Sequence, residues 1–194
     1  MYFQFDVKKI NSHSGKLMPE RLQEFNRLEI ERQLKNDADL KLLVIKVQNI
    51  IKEKFPDRIS DNSLKLDEEY IKSILLWSSN RIDRLSDVVS NQLAFLWISP
   101  TINKNKNVDD LLIIEKLKER LKLQEDLTKE KLKPFLKSFS QQNNVKFSNL
   151  MQLVRSILSG LKEGPSVAEM IEILGKENTL LRLQTYIKKN SNNN

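Results

Sequence analysis

The sequence predicts an all-α fold arranged as two consecutive helical-bundle subdomains, and three observations carry that reading. Only 4 Gly and 5 Pro in 194 residues leave too little punctuation for a turn-rich β architecture. Apolar residues recur at the spacing that lines one face of an α-helix, and no period-two alternation competes with it. The hydrophobic fraction of 39% is ordinary for a globular protein and sufficient for a core.

Pro19 opens the first helix, at a first-turn position where its missing N–H costs little, and Leu22, Phe25, Leu28 and Ile30 recur on one side. Asp37 is placed to cap a second helix, in which Leu40, Leu43, Val44, Val47, Ile50, Ile51 and Phe55 keep the period until Pro56 stops it. Asp67 begins a third helix through Tyr70, Ile71, Ile74, Leu75 and Trp77. A fourth is expected from Leu85 through Val88, Val89, Leu93, Phe95, Leu96 and Trp97 up to Pro100. These four are expected to share one core, residues 1–99. The polar, low-complexity segment 100–107 reads as a linker.

Beyond it, Val108, Leu111, Leu112, Ile114 and Leu117 mark a fifth helix, Leu127 to Phe139 a sixth and Lys146 to Ser159 a seventh. Gly160 and the pair Gly164-Pro165 supply the Gly-then-Pro order of a helix stop. Two shorter helices, Ser166 to Leu174 and Glu177 to Ile187, are separated by Gly175 and complete a C-terminal subdomain over 108–190. The Asn-rich tail, 191–194, is expected to be disordered.

Composition removes most enzyme chemistry. The chain has no Cys and one His, which excludes disulfides, thiolate zinc sites, cysteine nucleophiles and most imidazole constellations. His13 sits in a loop composition with no partner ligand. No apolar run approaches a membrane span, so a soluble chain without a membrane partner is expected. The N-terminus lacks the features of a signal or transit peptide and reads as a start inside a longer protein.

The net charge of +7 is unevenly distributed. Residues 1–100 carry 16 basic and 15 acidic side chains, whereas residues 101–194 carry 17 and 11. From Lys131 to Lys162 there is no carboxylate, yet Lys131, Lys133, Lys137, Lys146, Arg155 and Lys162 are present. A helical stretch without acidic partners cannot neutralise itself through i,i+4 pairs and projects positive potential outward, as phosphate contacts require. A solvated lysine-rich surface is the alternative, and charge alone does not separate the two.

Within that stretch, Phe147, Leu150, Met151, Val154, Ile157 and Leu158 form the expected buried stripe of the seventh helix, and Ser148, Gln152, Arg155 and Ser159 line another face. Arg155 reads either as a solvating surface arginine or as a ligand for a phosphate or an unpaired base. Arg81 lies in the polar break Ser78-Ser79-Asn80-Arg81-Ile82-Asp83-Arg84. It suits nucleobase recognition, or a junction capped by Asn80 or Asp83 with Arg81 paired to an acid. Trp77 and Trp97 fall at core spacing. The pairs Glu68-Glu69 and Asp109-Asp110 fall in first helical turns, where the helix dipole favours them, and no catalysis is read in them.

Two stretches together resemble the C-terminal, anticodon-binding part of bacterial-type and mitochondrial glutamyl-tRNA synthetases. One is Leu150-Met151-Gln152-Leu153-Val154-Arg155-Ser156-Ile157-Leu158-Ser159-Gly160, followed by Gly164-Pro165-Ser166-Val167 and by Ile171 to Leu180, with Leu174-Gly175-Lys176-Glu177 at its centre. It is similar to the family's arginine helix ending in Gly, its Gly/Pro turn, and a Leu-Gly-Lys-Glu step into the last helix. The other is Phe5 to Leu17 with Glu24-Phe25-Asn26-Arg27-Leu28, the latter most similar to mitochondrial members. Asn80 to Leu85 resembles the family's Arg-x-Asp/Thr-x-Leu junction.

The resemblance implies an anticodon-binding helical cage. By it, Arg81 matches the arginine that reads the third anticodon base, Arg155 the arginine facing the anticodon, and Lys137 a basic position one helix earlier. Gly164, Pro165 and Val167 match the turn lying against the bases, with Lys131, Lys133, Lys146 and Lys162 as supporting basic surface. The implied partner is the anticodon loop of glutamate tRNA. The catalytic His-x-Gly-His and Lys-Met-Ser-Lys type signatures do not occur in these 194 residues. ATP and magnesium would therefore belong to a catalytic domain supplied in cis upstream or in trans, with no cofactor held here. The expected location is the mitochondrial matrix, with cytoplasm as the alternative. The rival readings are an all-α protein-interaction scaffold with a basic face and a free-standing tRNA-binding regulator.

Overall fold

A computed structural model describes residues 18–59, 64–101 and 108–191, which form seven α-helices and contain no strand. The motif segment Phe5 to Leu17, His13, linker residues 102–107 and tail residues 192–194 lie outside the described residues.

A 3-10 turn at Pro19–Arg21 leads into α1 (Leu22–Leu34), and α2 (Asp37–Lys54) follows. Asn36, rather than Asp37, caps α2. Its side-chain oxygen accepts from the backbone N–H groups of Ala38 and Asp39 at 3.0 and 3.1 Å, while Asp37 is already the first helical residue. The expected apolar side of α1 is only partly covered. Ile30 is buried, but Leu22, Phe25 and Leu28 are 45%, 47% and 49% exposed, so the core of this half is built on α2 and not on α1.

Asp67 caps α3 (Glu68–Ser78) by accepting from the Tyr70 N–H at 2.9 Å. The helix expected over 85–97 does not form. Two 3-10 turns, Leu85–Val89 and Ala94–Leu96, stand in its place, because Ser90 is extended (ψ 159°) and breaks the backbone between them. The apolar residues of that segment are buried all the same: Val88, Val89, Leu93, Phe95, Leu96 and Trp97. Compact turns bury them as well as a helix would, with the Trp97 indole N–H donating to the Val88 carbonyl at 2.6 Å.

The remaining helices are α4 (Val108–Lys122), α5 (Lys129–Gln142), α6 (Phe147–Ser159) and α7 (Val167–Ser191). Gly160 ends α6 in the left-handed region (φ 72°), and an added Cβ there would stand 3.1 Å from the Cβ of Pro100. Glycine is required at that position by both conformation and close approach. Gly175 (φ 74°, ψ 171°) interrupts α7 where the break between two helices is expected. α7 packs on α4, α5 and α6, and α2 organises the earlier helices. The buried side chains from Ile30 to Ile187 form one continuous cluster.

The joint between α7 and residues 95–98 is polar at its centre. Arg182 is 6% exposed and donates to the carbonyls of Phe95 (2.7 Å) and Ile98 (3.4 Å), and also to that of Leu158. Burial lowers its pKa to about 10, so it stays charged at neutral pH. Tyr70 reinforces the same turn by donating to the Leu96 carbonyl at 2.7 Å, with its ring edge-on to Trp97. No helix among the described residues is long and apolar enough to cross a membrane.

Candidate nucleic-acid interface

α5, α6 and the first turn of α7 enclose an open groove of about 490 Å³. Its floor is apolar, made by Leu136, Phe147, Met151, Val167 and Ala168, and its rim is basic, made by Lys133, Lys137 and Arg155. No carboxylate lines it. Helical spacing explains the arrangement. Lys133 and Lys137 are four apart on α5, and Phe147, Met151 and Arg155 are successive fourth residues on α6, so each set points one way. Phe147 and Met151 therefore share a face with Arg155 and do not belong to the buried stripe. Phe147 is 43% exposed and Met151 half-buried, whereas Leu150, Val154, Ile157 and Leu158 make the core contact.

Arg155 is half-buried, and its Nε–H is fully buried with no hydrogen-bond partner among the described residues. A buried donor left unpaired costs on the order of 1–3 kcal/mol. Pro134, in the groove wall, has no N–H for the Glu130 carbonyl one turn earlier.

Gly164 and Pro165 lie in the turn between α6 and α7, just before the groove-lining residues Ser166, Val167 and Ala168. Gly164 takes φ 149°, which disfavours any side chain. Lys131, Lys146 and Lys162 are exposed and do not line the groove.

Arg81 occupies a separate corner across the start of α7. Its guanidinium lies 4.2 Å from the Trp77 ring centroid, donates through Nη1 to the Trp77 carbonyl (3.1 Å) and pairs through Nη2 with Glu169 (3.0 Å). Glu169 also accepts from Lys129 Nζ (2.9 Å) and from both the N–H and the hydroxyl of Ser166 (3.1 Å each). Desolvation opposes ionisation of this carboxyl, but Lys129 and the Ser166 donors outweigh it and hold the pKa at about 2. Of the two readings of Arg81, pairing to an acid is therefore present. The polar break itself is tied by Asp87, and not by Asn80 or Asp83: its carboxylate accepts from the N–H groups of Asp83 (3.0 Å) and Arg84 (2.9 Å).

Ser166 joins the two places, since it lines the groove and bonds Glu169. Glu172, one turn further along α7, accepts from the Lys129 N–H at 3.1 Å and fixes the start of α5. The residues that sequence reasoning missed are Phe147 and Met151 as floor, and Trp77, Lys129, Glu169 and Glu172 as the corner. Ser166-Val167-Ala168-Glu169 carries the capping-box pattern and was a readable local signal for Glu169. Its pairing with Arg81, 88 residues away, had none.

Comparison with known proteins gives a consistent result. A family model described as an anticodon binding domain matches residues 44–187. A glutamate–tRNA ligase 2 from Rickettsia akari is 31% identical over 158 residues, covering 79% of this chain and 32% of that protein. A glutamate–tRNA ligase 1 from Rickettsia canadensis is 35% identical over 120 residues, covering 59% of this chain and 25% of that protein. The chain thus spans about a third of the length of the curated relatives it matches. Among solved structures, a glutamate tRNA ligase from Elizabethkingia meningosepticum has the same fold over 95% of this chain and 35% of its own, with a TM-score of 0.59 at 19% identity.

Proposed function

Since the chain belongs to the anticodon-binding domain family, in the form that glutamate–tRNA ligases carry, we propose that it reads the anticodon loop of glutamate tRNA for ATP-dependent charging with glutamate. The charging itself is assigned to a nucleotide-binding domain acting in cis upstream or in trans. ATP and magnesium are needed there, and none of the residues described here takes part in that step.

One observation carries the reading: an apolar, carboxylate-free groove rimmed by Lys133, Lys137 and Arg155. A single-stranded loop offers splayed bases with apolar faces, exposed Watson–Crick edges and flanking phosphates. Phe147 and Met151 supply surfaces on which a base stacks. The two lysines meet phosphate oxygens. The Arg155 guanidinium, at the rim of the groove, donates to a base edge or a phosphate. At the other corner, Arg81 keeps three of its five N–H donors for RNA after the bonds to Trp77 and Glu169. Gly164 and Pro165 let backbone approach the loop closely.

The test is a binding titration of the chain against glutamate tRNA and the same tRNA with a substituted anticodon, at several salt concentrations. Expected are tighter binding of the matched tRNA, by about tenfold or more, and a steep loss of affinity with salt. Equal affinity for both tRNAs would leave a basic interaction scaffold as the better description. We further propose the mitochondrial matrix as location, on the likeness of Glu24-Phe25-Asn26-Arg27 to mitochondrial members, and imaging of a fluorescent fusion of the full-length gene product tests it against cytoplasm.

A further inference from the structure

The Arg81 corner differs from an ordinary surface ion pair in three respects. The Glu169 side chain is only 14% exposed, it receives two cations, and it is fixed by the helix start it caps. Arg81 is held on three sides: its Cζ over the Trp77 ring, one nitrogen by the Trp77 carbonyl and the other by Glu169. A carboxylate bound to Arg81 alone would cancel its charge. Because Lys129 shares the same Glu169 oxygen, Arg81, Lys129 and Glu169 together keep a net charge of +1.

From this geometry we infer that Glu169 is a positioning residue for base discrimination: it aims the Arg81 guanidinium, while Lys129 preserves the positive charge that draws RNA. The inference rests on the anticodon reading proposed above. Ser166 extends the coupling to the groove, since the hydroxyl that bonds Glu169 belongs to a residue lining the pocket beside Arg155. Aiming and attraction are then separate properties, and removing the carboxylate moves them in opposite directions. Loss of Glu169 frees the guanidinium to sample orientations that serve no particular base. It also raises the charge of the corner by one unit, which favours any polyanion.

The experiment uses the full chain with E169Q and E169D, titrated with an anticodon stem-loop and its single-base variants at each anticodon position. For E169Q, the ratio of matched to mismatched affinity at one position should fall about threefold, with affinity for mismatched loops unchanged or tighter. E169D should restore part of the ratio. Retention of the ratio in E169Q, or a parallel loss of affinity for all loops as from a damaged fold, overturns the inference. If E169Q proves unfolded by circular dichroism, E169D carries the test alone: a reduced ratio with mismatched affinity intact supports positioning, and an unchanged ratio overturns it. Failure of the unmodified chain to discriminate any loop overturns the anticodon reading as well, before any variant is consulted.

Discussion

The two arginines of the candidate interface are held in opposite ways. Arg81 is surrounded by partners: an aromatic face, a carbonyl and a carboxylate shared with Lys129. Arg155 stands in a groove with no carboxylate, its Nε–H buried and unpaired. On the proposed anticodon reading, the first is oriented before any RNA arrives, and the second meets no competing carboxylate in its groove. Preorganisation favours discrimination, because a fixed donor fork rewards one acceptor pattern and rejects others. A guanidinium at the rim of an apolar groove without a carboxylate favours affinity, because many acceptors satisfy it.

Arg182 supplies the reference against which that contrast can be broken. If either interface arginine acts through the fold, its removal should resemble R182A, which strands the carbonyls of Phe95, Leu158 and Ile98. R182A is expected to cost about 3 kcal/mol of stability in urea denaturation. R155A and R81A should each stay within about 1 kcal/mol of the parent in the same assay. A larger loss for either would assign it to the scaffold.

R155A should weaken binding of every stem-loop by about 2 kcal/mol, with a shallower salt dependence, in filter-binding titrations. A loss confined to one sequence would reverse the roles of the two corners. F147A removes a half-exposed groove surface and should cost about 1 kcal/mol of binding with little change in melting temperature. R81A should lower discrimination at a single anticodon position by about 1 kcal/mol while leaving mismatched loops nearly unaffected.

The last effect is pH-dependent stability. Glu169 ionises at about 2 in the folded chain against an ordinary 4.5, so its contribution is complete above 4.5 and is lost as pH falls from there towards 2. Acid titration of stability should therefore be flatter over that interval in E169Q than in the parent. Identical curves would remove the ion-pair cluster from the account of the Arg81 corner.

The contrast also marks what was legible in the sequence. Arg155, Lys137, Lys133 and Val167 sit on helices whose period and punctuation were readable, and the groove they share follows from spacing along α5 and α6 plus the turn at Gly164-Pro165. Arg81 was readable as a candidate, but its environment was not, because Glu169 and Lys129 reach it only through tertiary packing. Local signals failed where two structures satisfy the same burial. Leu85 to Trp97 keeps its apolar residues inside without a helix, and the α1 stripe is helical without being covered. Asn36 displaced Asp37 as cap by one position, within the slack that adjacent capping side chains allow.

Arg182 has a practical consequence as well. Its charge is met by carbonyl dipoles inside the molecule and by no carboxylate among the described residues, so dissolved ions have little to screen there. The seam joining α7 to residues 95–98 should hold at ionic strengths that strip a polyanion from the lysine rim. If the anticodon reading holds, a salt series on this chain reports the release of RNA from an intact scaffold, and high-salt elution should return protein ready to bind again.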